Sequence, residues 1–542
     1  MGTGADNAHQ SRRSSTLVGV TTTAAVDQTT SFPKGQVILL GYLSGIQLAD
    51  PAIASIALVD VSKTFGMTTA VAALAASIST LALAATVLIG GMLGDRMGRR
   101  KVLYIALGVT IAGDVIAAAA PGVGFYMVGR ALAGIGVGWL LASSYSMVRE
   151  VSPPKSVPAA LGIWNLTLLM VMLVATIVGG LLVDASWRVA LLFTPLLCLI
   201  GLPMVIKMLP ETKKVVKKVD YWGLIVIGVA TVLFLYGFSQ AAKSLTTPTF
   251  WGPVLAGVVG FALFLWIESK AESPVIPFKL FTRGVFIAAI VSGVAWNLAQ
   301  AIMQLAASNW WQYVTGLKAF EVALLEVPIL LIFGGVGVWS GIQIGKRPGS
   351  VAKVMGLGFA LMTAGFLLCM LAGADKSALW ILPGLFVMSA GIGCTSVPQA
   401  ALFVKEAPAK FFGTVTSFRT TVGQVGYSLG FTGTIVLVQA FYGGRFAELL
   451  SEAGFSPDQT GDAVAAVSWY VQHEEQMPTG PLAAQAIEAA QRAYSTGFDS
   501  LMFIIAIVMA VFGVATLLFL RWGRKQDERD AAATAAAGNA GE

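Results

Sequence analysis

Four ionisable side chains, Asp50, Asp114, Arg130 and Glu326, lie inside apolar runs long enough to cross a bilayer. A charge there costs about 2.5–3.5 kcal/mol on insertion scales, so each marks a candidate functional position. A buried carboxylate can take up and release a proton, and an arginine beside it sets how readily it does so. With a rise of about 1.5 Å per residue, Asp50 falls about 20 Å from the start of its helix. Arg130 falls about 10 Å from the opposite boundary of its own helix, a similar depth in a core of roughly 30 Å. Asp114 sits near the middle of the third run. The three are expected to form one cluster, which either titrates or only fastens helices as a permanent ion pair. Glu326, about two turns into its helix, is a second candidate proton site or a counter-ion for a cationic ligand. Its bland alternative is a carboxylate snorkelling to the interface.

A second group is uncharged. Trp296, Asn297, Gln300 and Gln304 sit on one run, and the three amides recur at spacings of three and four, so they share a helical face. That face suits a wet cavity, with Trp296 placed to stack on an aromatic or cationic ligand, or it hydrogen-bonds to neighbouring helices. Trp310 and Trp311 further along are expected in the aromatic belt at the membrane boundary. Arg419 is expected to brace helices rather than to meet a ligand. The two histidines, His9 and His473, lie in polar segments, and Cys198, Cys369 and Cys394 lie in apolar runs. This pattern offers neither a metal site nor a disulfide framework. No Gly-xxxx-Gly-Lys-Ser/Thr loop for nucleotide phosphates occurs. Neither an enzyme nor an ATP-driven machine is expected.

These residues need helices that span a membrane. The 542 residues are 56% hydrophobic and 12% charged, with a mean hydropathy of +0.77; soluble domains carry roughly 25% charged residues. Runs of about 20 apolar residues mark fourteen spans: 36–58, 69–93, 102–120, 123–148, 158–183, 187–209, 221–240, 250–268, 284–312, 320–345, 352–373, 377–404, 411–442 and 496–521. The net charge of +7 resides in short tracts after even-numbered spans, such as Arg96 to Lys101, Lys213 to Lys218 and Arg521 to Lys525. The positive-inside rule therefore places both termini in the cytoplasm and makes a nucleic-acid partner unnecessary. Residues 1–35, rich in Ser, Thr and Ala, read as a disordered tail, as does the Ala/Gly-rich end within 522–542. The acidic segment 443–495 reads as an extracytoplasmic loop, with 481–494 a helical flap against the outer mouth.

Internal duplication follows from two related stretches. Gly91-Met-Leu-Gly-Asp95-Arg96-Met-Gly98-Arg99-Arg100-Lys follows the second span, and Gly341-Ile-Gln-Ile-Gly-Lys346-Arg347-Pro-Gly follows the tenth. Both fall between the second and third helices of a half if spans seven and eight are inserted. The first stretch resembles the loop signature of the major facilitator superfamily. Arg130-Ala-Leu-Ala-Gly134-Ile-Gly136 resembles its fourth-helix motif. The count of fourteen, Gln47-Leu-Ala-Asp50-Pro-Ala-Ile-Ala, Glu272-Ser-Pro-Val-Ile-Pro277-Phe-Lys-Leu-Phe and Arg419-Thr-Thr-Val-Gly423 narrow the resemblance to the fourteen-helix drug:proton antiporter branch.

That resemblance implies an all-α polytopic membrane protein of the major facilitator fold: bundles over 36–209 and 284–521, and a two-helix insertion within 210–283. It implies gating by both motif stretches, a proton gradient rather than a cofactor as energy source, and proton coupling at Asp50, Asp114 and Glu326 with Arg130 as charge partner. It further implies efflux of amphipathic or cationic small molecules across the bacterial cytoplasmic (inner) membrane, in contact with membrane lipids. The sequence departs from the branch on the fifth helix. Of its glycine–proline motif, Val171-Met-Leu-Val-Ala-Thr-Ile-Val-Gly179-Gly180 keeps only the last two glycines. The missing bend admits a second reading, transport of a lipid or lipid-like metabolite on the same fold.

Overall fold

A computed structural model describes residues 33–153, 156–212, 221–240, 247–270, 277–375, 377–407, 412–456, 459–472 and 481–539. The tail 1–32, the basic tract 213–220, Glu272 to Ile276 and His473 to Gly480 lie outside these residues. The helices are α1 (Lys34–Phe65), α2 (Thr69–Met97), α3 (Arg99–Ala118), α4 (Val123–Val151), α5 (Val157–Ala185), α6 (Trp187–Leu191), α7 (Phe193–Met208), α8 (Tyr221–Gln240) and α9 (Pro248–Lys270). They continue with α10 (Gly284–Val314), α11 (Ala319–Lys346), α12 (Val351–Cys369), α13 (Leu382–Glu406), α14 (Phe412–Glu452), α15 (Thr460–Gln472) and α16 (Pro481–Asn539). No strand occurs among the described residues. Thirteen helical stretches, with α6 and α7 counted as one, are long and apolar enough to span a membrane, and Trp222–Phe238 of α8 is a shorter apolar helix. Together they account for the fourteen spans expected from sequence.

α1 to α7 pack on one another, as do α10 to α14 with α16. Apolar burial provides little drive between helices in lipid, so small residues decide where backbones approach. A Cβ on Gly113 would lie 2.3 Å from the Ala133 nitrogen, which locks α3 to α4; Gly365 stands likewise against the Met388 nitrogen, 2.5 Å away, between α12 and α13. The two groups meet along two joints, α2 with α14 and α5 with α11, while α8 and α9 pair and α8 lies against α2 and α14.

Three expectations change. The first motif stretch is barely a loop: α2 runs to Met97, α3 starts at Arg99, and Gly98 alone separates them. Segment 443–495 is largely helical where described. α14 overshoots its expected span to Glu452, α15 follows, and 481–494 forms the first turns of α16 rather than a separate flap. The three pieces bury Phe446, Leu450, Ala463, Ala486, Ala489 and Ala490 together, with Arg492 paired to Asp375 at 3.4 Å. The C-terminal end is helical to Asn539. Alanine is the best helix former, and extending an existing helix avoids the cost of nucleation.

Candidate functional site

Asp50 precedes Pro51 inside α1. Proline has no N–H to offer the carbonyl four residues back, so one backbone hydrogen bond of the continuous helix is missing beside the carboxylate. On α4, Gly134 follows Arg130 by one turn, and a Cβ there would fall 2.1 Å from the Ser79 carbonyl oxygen. α2 thus reaches α4 at the level of the charges. Arg130 Nη1 and Nη2 donate to Asp50 Oδ1 at 2.7 Å and Oδ2 at 2.9 Å, and Nη1 also donates to Asp114 Oδ1 at 2.7 Å. Ser79 Oγ donates to Asp50 Oδ2 at 3.3 Å. All three ionisable groups are buried, at 1%, 0% and 1% exposure for Asp50, Asp114 and Arg130. Of the four carboxylate oxygens, only Asp114 Oδ2 lacks a hydrogen bond. Two carboxylates against one guanidinium leave one negative charge uncompensated, and a single proton balances the cluster.

Glu326 lies apart from these charges, on α11 at the joint with α5. It is 8% exposed, and its Oε1 has no hydrogen-bond partner. Met172 of α5, Gln300, Met303, Gln304, Ala307 and Trp311 of α10, and Glu326, Ile329 and Leu330 of α11 enclose a cavity of about 20 Å³, room for one water. Tyr427 of α14 donates from its hydroxyl to Gln304 Oε1 at 2.5 Å.

The expected amide face divides. Gln300 and Gln304 line the cavity, whereas Asn297 donates to the Gly293 carbonyl at 2.8 Å and abuts Gly423 of α14. Trp296 is not among the lining residues. Trp310 and Trp311, expected at the membrane boundary, are fully buried, and Trp311 donates its Nε1–H to the Ala378 carbonyl at 2.9 Å. An indole N–H with an internal acceptor needs no interfacial water.

At the end of the bundle carrying the motif, Arg99 pairs with Asp95 at 2.8 Å and donates its backbone N–H to Thr212 at 2.9 Å; Arg100 reaches the Leu209 carbonyl at 3.2 Å. Gly98 has φ +97°, and a Cβ there would collide with Glu211 Oε1 at 2.1 Å. Glycine alone meets both demands. Gly91 is buried on α2 and Arg96 is exposed. In the second stretch, Gly341 contacts α13 near Val397, Lys346 closes α11, and Arg347 follows it, with both basic side chains exposed. Arg419 Nε donates to Gln399 Oε1 at 3.1 Å, and its guanidinium lies 5.7 Å from the Tyr145 ring centre across the two groups.

Sequence reasoning missed Ser79, Met172, Glu211 and Tyr427, which acquire meaning only from helices distant in the chain. It also missed the counterpart of the eroded fifth helix. Cβ atoms on Gly41 and Gly45 of α1 would lie 2.6 Å from the Trp164 carbonyl oxygen and 2.5 Å from Val171. The small residues that let α1 and α5 touch here sit on α1.

Two packed groups of six spans, with charged and amide side chains buried within and between them, define a polytopic membrane protein of the two-bundle transporter class. The chain belongs to the Major Facilitator Superfamily, whose sequence pattern matches residues 41–431. It is 25% identical to the multidrug efflux pump LfrA of Mycolicibacterium smegmatis, over 80% of this chain and 87% of that protein. It is 27% identical to the tetracenomycin C resistance and export protein of Streptomyces glaucescens, over 83% and 84%. An MFS-type transporter of Mycobacterium tuberculosis is 25% identical over 65% of this chain, and the match spans 61% of that relative's length. Among solved structures, a bacterial homologue of the lysosomal transporter Spinster aligns with TM-score 0.58 at 15% identity, over 91% of this chain and 98% of that one. A peptide transporter, POT, bound to sulfate aligns with TM-score 0.60 at 17% identity, over 90% and 96%. At these identities the structural likeness concerns the fold.

Proposed function

We propose that this chain is a proton-coupled secondary transporter that exports amphipathic or cationic small molecules by rocking one bundle against the other. One observation carries the reading: two buried carboxylates share one arginine and leave a single carboxylate oxygen without a partner. An uncompensated charge in that setting costs several kcal/mol, so the cluster has a strong reason to exchange one proton with whichever side of the membrane reaches it. The drug and antibiotic exporters among its relatives support efflux as the direction. The basic tracts support both termini in the cytoplasm of a bacterial inner membrane, and the packing of α1 to α7 and of α10 to α14 with α16 supports bundles over 36–209 and 284–521. Asp95–Arg99 and Arg419 over Tyr145 are then contacts that form and break at the cytoplasmic face, and Glu326 is a second acidic site toward the opposite one.

The test is uptake of ethidium into proteoliposomes with and without a pH gradient, together with counterflow at equal pH. Uptake that follows the gradient supports the reading, and its absence with counterflow intact overturns the coupling. Carriage of a lipid or lipid-like metabolite is the second reading, favoured by an α5 without a proline in its interior. Translocation of a fluorescent lipid without ethidium transport would select it.

A further inference from the structure

We propose that Phe65, Tyr126, Trp187 and Arg188 form a lid over the charge cluster, at the end of the first bundle opposite the motif. The exchanging proton reaches Asp114 through this lid, inside the bundle, rather than along the joints between the bundles. This inference rests on the proton-coupling reading above and assigns the residues that govern access to its site.

Asp114 is buried close to one end of its helix and far from the other. It lies four residues, about 6 Å, before the end of α3 at Ala118, and fifteen residues, about 22 Å, beyond its start at Arg99. α3 packs on α4, α7, α2 and α6 of its own bundle. The unpartnered Oδ2 therefore belongs to a helix that forms neither joint. Arg130 holds the other oxygen, and the buried Cys198 of α7 lies within electrostatic reach of both Asp114 and Asp50.

The short side is covered by rings. Tyr126, 1% exposed, stands one turn outside Arg130 on α4 and within electrostatic reach of Arg130, Asp50 and Asp114. Its ring meets Phe65, the last residue of α1, at 6.2 Å between centres and Trp187 of α6 at 6.1 Å; Phe65 and Trp187 meet at 5.7 Å. Three rings from three helices in mutual contact make an apolar plug. Arg188 closes it from outside. Its guanidinium lies 4.3 Å from the Trp187 ring centre and 5.9 Å from that of Phe65. Its Nη1 donates to the Ala118 and Ala120 carbonyls at 2.6 and 2.9 Å, where α3 ends. A positive charge there opposes an approaching hydronium while the lid is shut.

The lid is tied to the joint. Trp187 and Arg188 open the five-residue α6, which Ser186, in extended backbone, connects to α5. Two residues before Ser186, Asp184 accepts the backbone N–H of Phe320 at the start of α11. Parting α5 from α11 thus pulls on Ser186 and on α6. Water then reaches Asp114 Oδ2, a hydronium gives that oxygen its proton and leaves as water, and the cluster passes from one net negative charge to none.

The test is infrared spectroscopy of the full chain in liposomes, following the carbonyl band of the protonated carboxyl that Asp114→Asn abolishes. Its exchange rate after a switch to deuterated water is read with Thr80→Cys and Ser428→Cys joined as a disulfide. The parent hydroxyls lie 3.2 Å apart, so this bond holds the α2–α14 joint shut beside the cluster. In that locked background Trp187→Ala is expected to speed exchange at least fivefold, and Phe65→Ala likewise, while Trp187→Phe exchanges like the parent. Rates unchanged by both alanine variants, or raised only after the disulfide is reduced, would overturn the lid. The readout needs no transport. Lid-controlled exchange without pH-driven ethidium uptake removes proton-coupled export and leaves the lid. Uptake with exchange indifferent to these substitutions removes the lid and leaves export.

Discussion

Replacing Asp114 with Asn isolates the proton from the bridge. The variant keeps the two-pronged Arg130–Asp50 contact at 2.7 and 2.9 Å and the Ser79 hydrogen bond. What disappears is the carboxylate with the unpartnered oxygen and, with it, the surplus negative charge. One guanidinium then faces one carboxylate, and the cluster is balanced with no proton bound. A pH unit is worth about 1.36 kcal/mol per proton, so each coupled proton multiplies substrate accumulation about tenfold per unit of gradient. In proteoliposomes holding a one-unit gradient, the parent should therefore accumulate ethidium about tenfold more than Asp114→Asn, while counterflow at equal pH persists in both. Asp50→Asn should lose the same factor and also stability, because it breaks the bidentate contact. Hydrogen bonds to charged groups contribute about 1.5–3 kcal/mol each, so a thermal-shift measurement in detergent should register Asp50→Asn, which gives up the two-pronged contact, more strongly than Asp114→Asn. Equal accumulation by parent and both variants would refute the charge-balance reasoning.

Asp95→Ala removes the 2.8 Å partner of Arg99 at the exposed rim; turnover should fall severalfold while equilibrium ethidium binding, measured by fluorescence titration, stays within about twofold. Gly98→Ala forces a Cβ into a positive-φ position and against Glu211, a strain on the order of 1–3 kcal/mol, and should lower the melting temperature; Glu211→Ala relieves the clash but not the positive φ and should restore only part of the loss. Deleting residues 446–490 with a short Gly/Ser bridge removes most of the helical cap and its cluster around Phe446 and Leu450; insertion should survive, with transport slower and less sensitive to salt. Unchanged transport and salt response would assign the cap no part in transport.

The spans were legible because a bilayer imposes one length on every crossing helix. Depth arithmetic alone brings Asp50 and Arg130 to one level, and the structure brings them into contact, with Arg130 donating to both Asp50 and Asp114. Tyr427 and Met172 were not legible. Their roles arise where α14 and α5 meet α10 and α11; Tyr427 lies in none of the motif stretches, and Met172 lies in the fifth-helix stretch at a position where the motif keeps no glycine. Trp311 was misplaced because a tryptophan near a span's end reads as interfacial until its N–H is found bonded to Ala378. The alanine-rich C-terminal end reads from composition as a tail, although the span before it supplies the nucleated helix that its alanines extend.

The 59 residues of α16 form one rod, about 88 Å long at 1.5 Å per residue. Its first turns belong to the cap and its last lie beyond the opposite boundary, where Arg283 holds Asp527 and Asp530. A rod anchored at both ends and pivoting inside a bundle is a lever: a tilt of about 10° would swing its two tips in opposite directions by roughly 8 Å each over that length. Fluorophores on the cap and on the tail would then read bundle motion as a change in distance to fixed points on α3, with the bilayer as fulcrum.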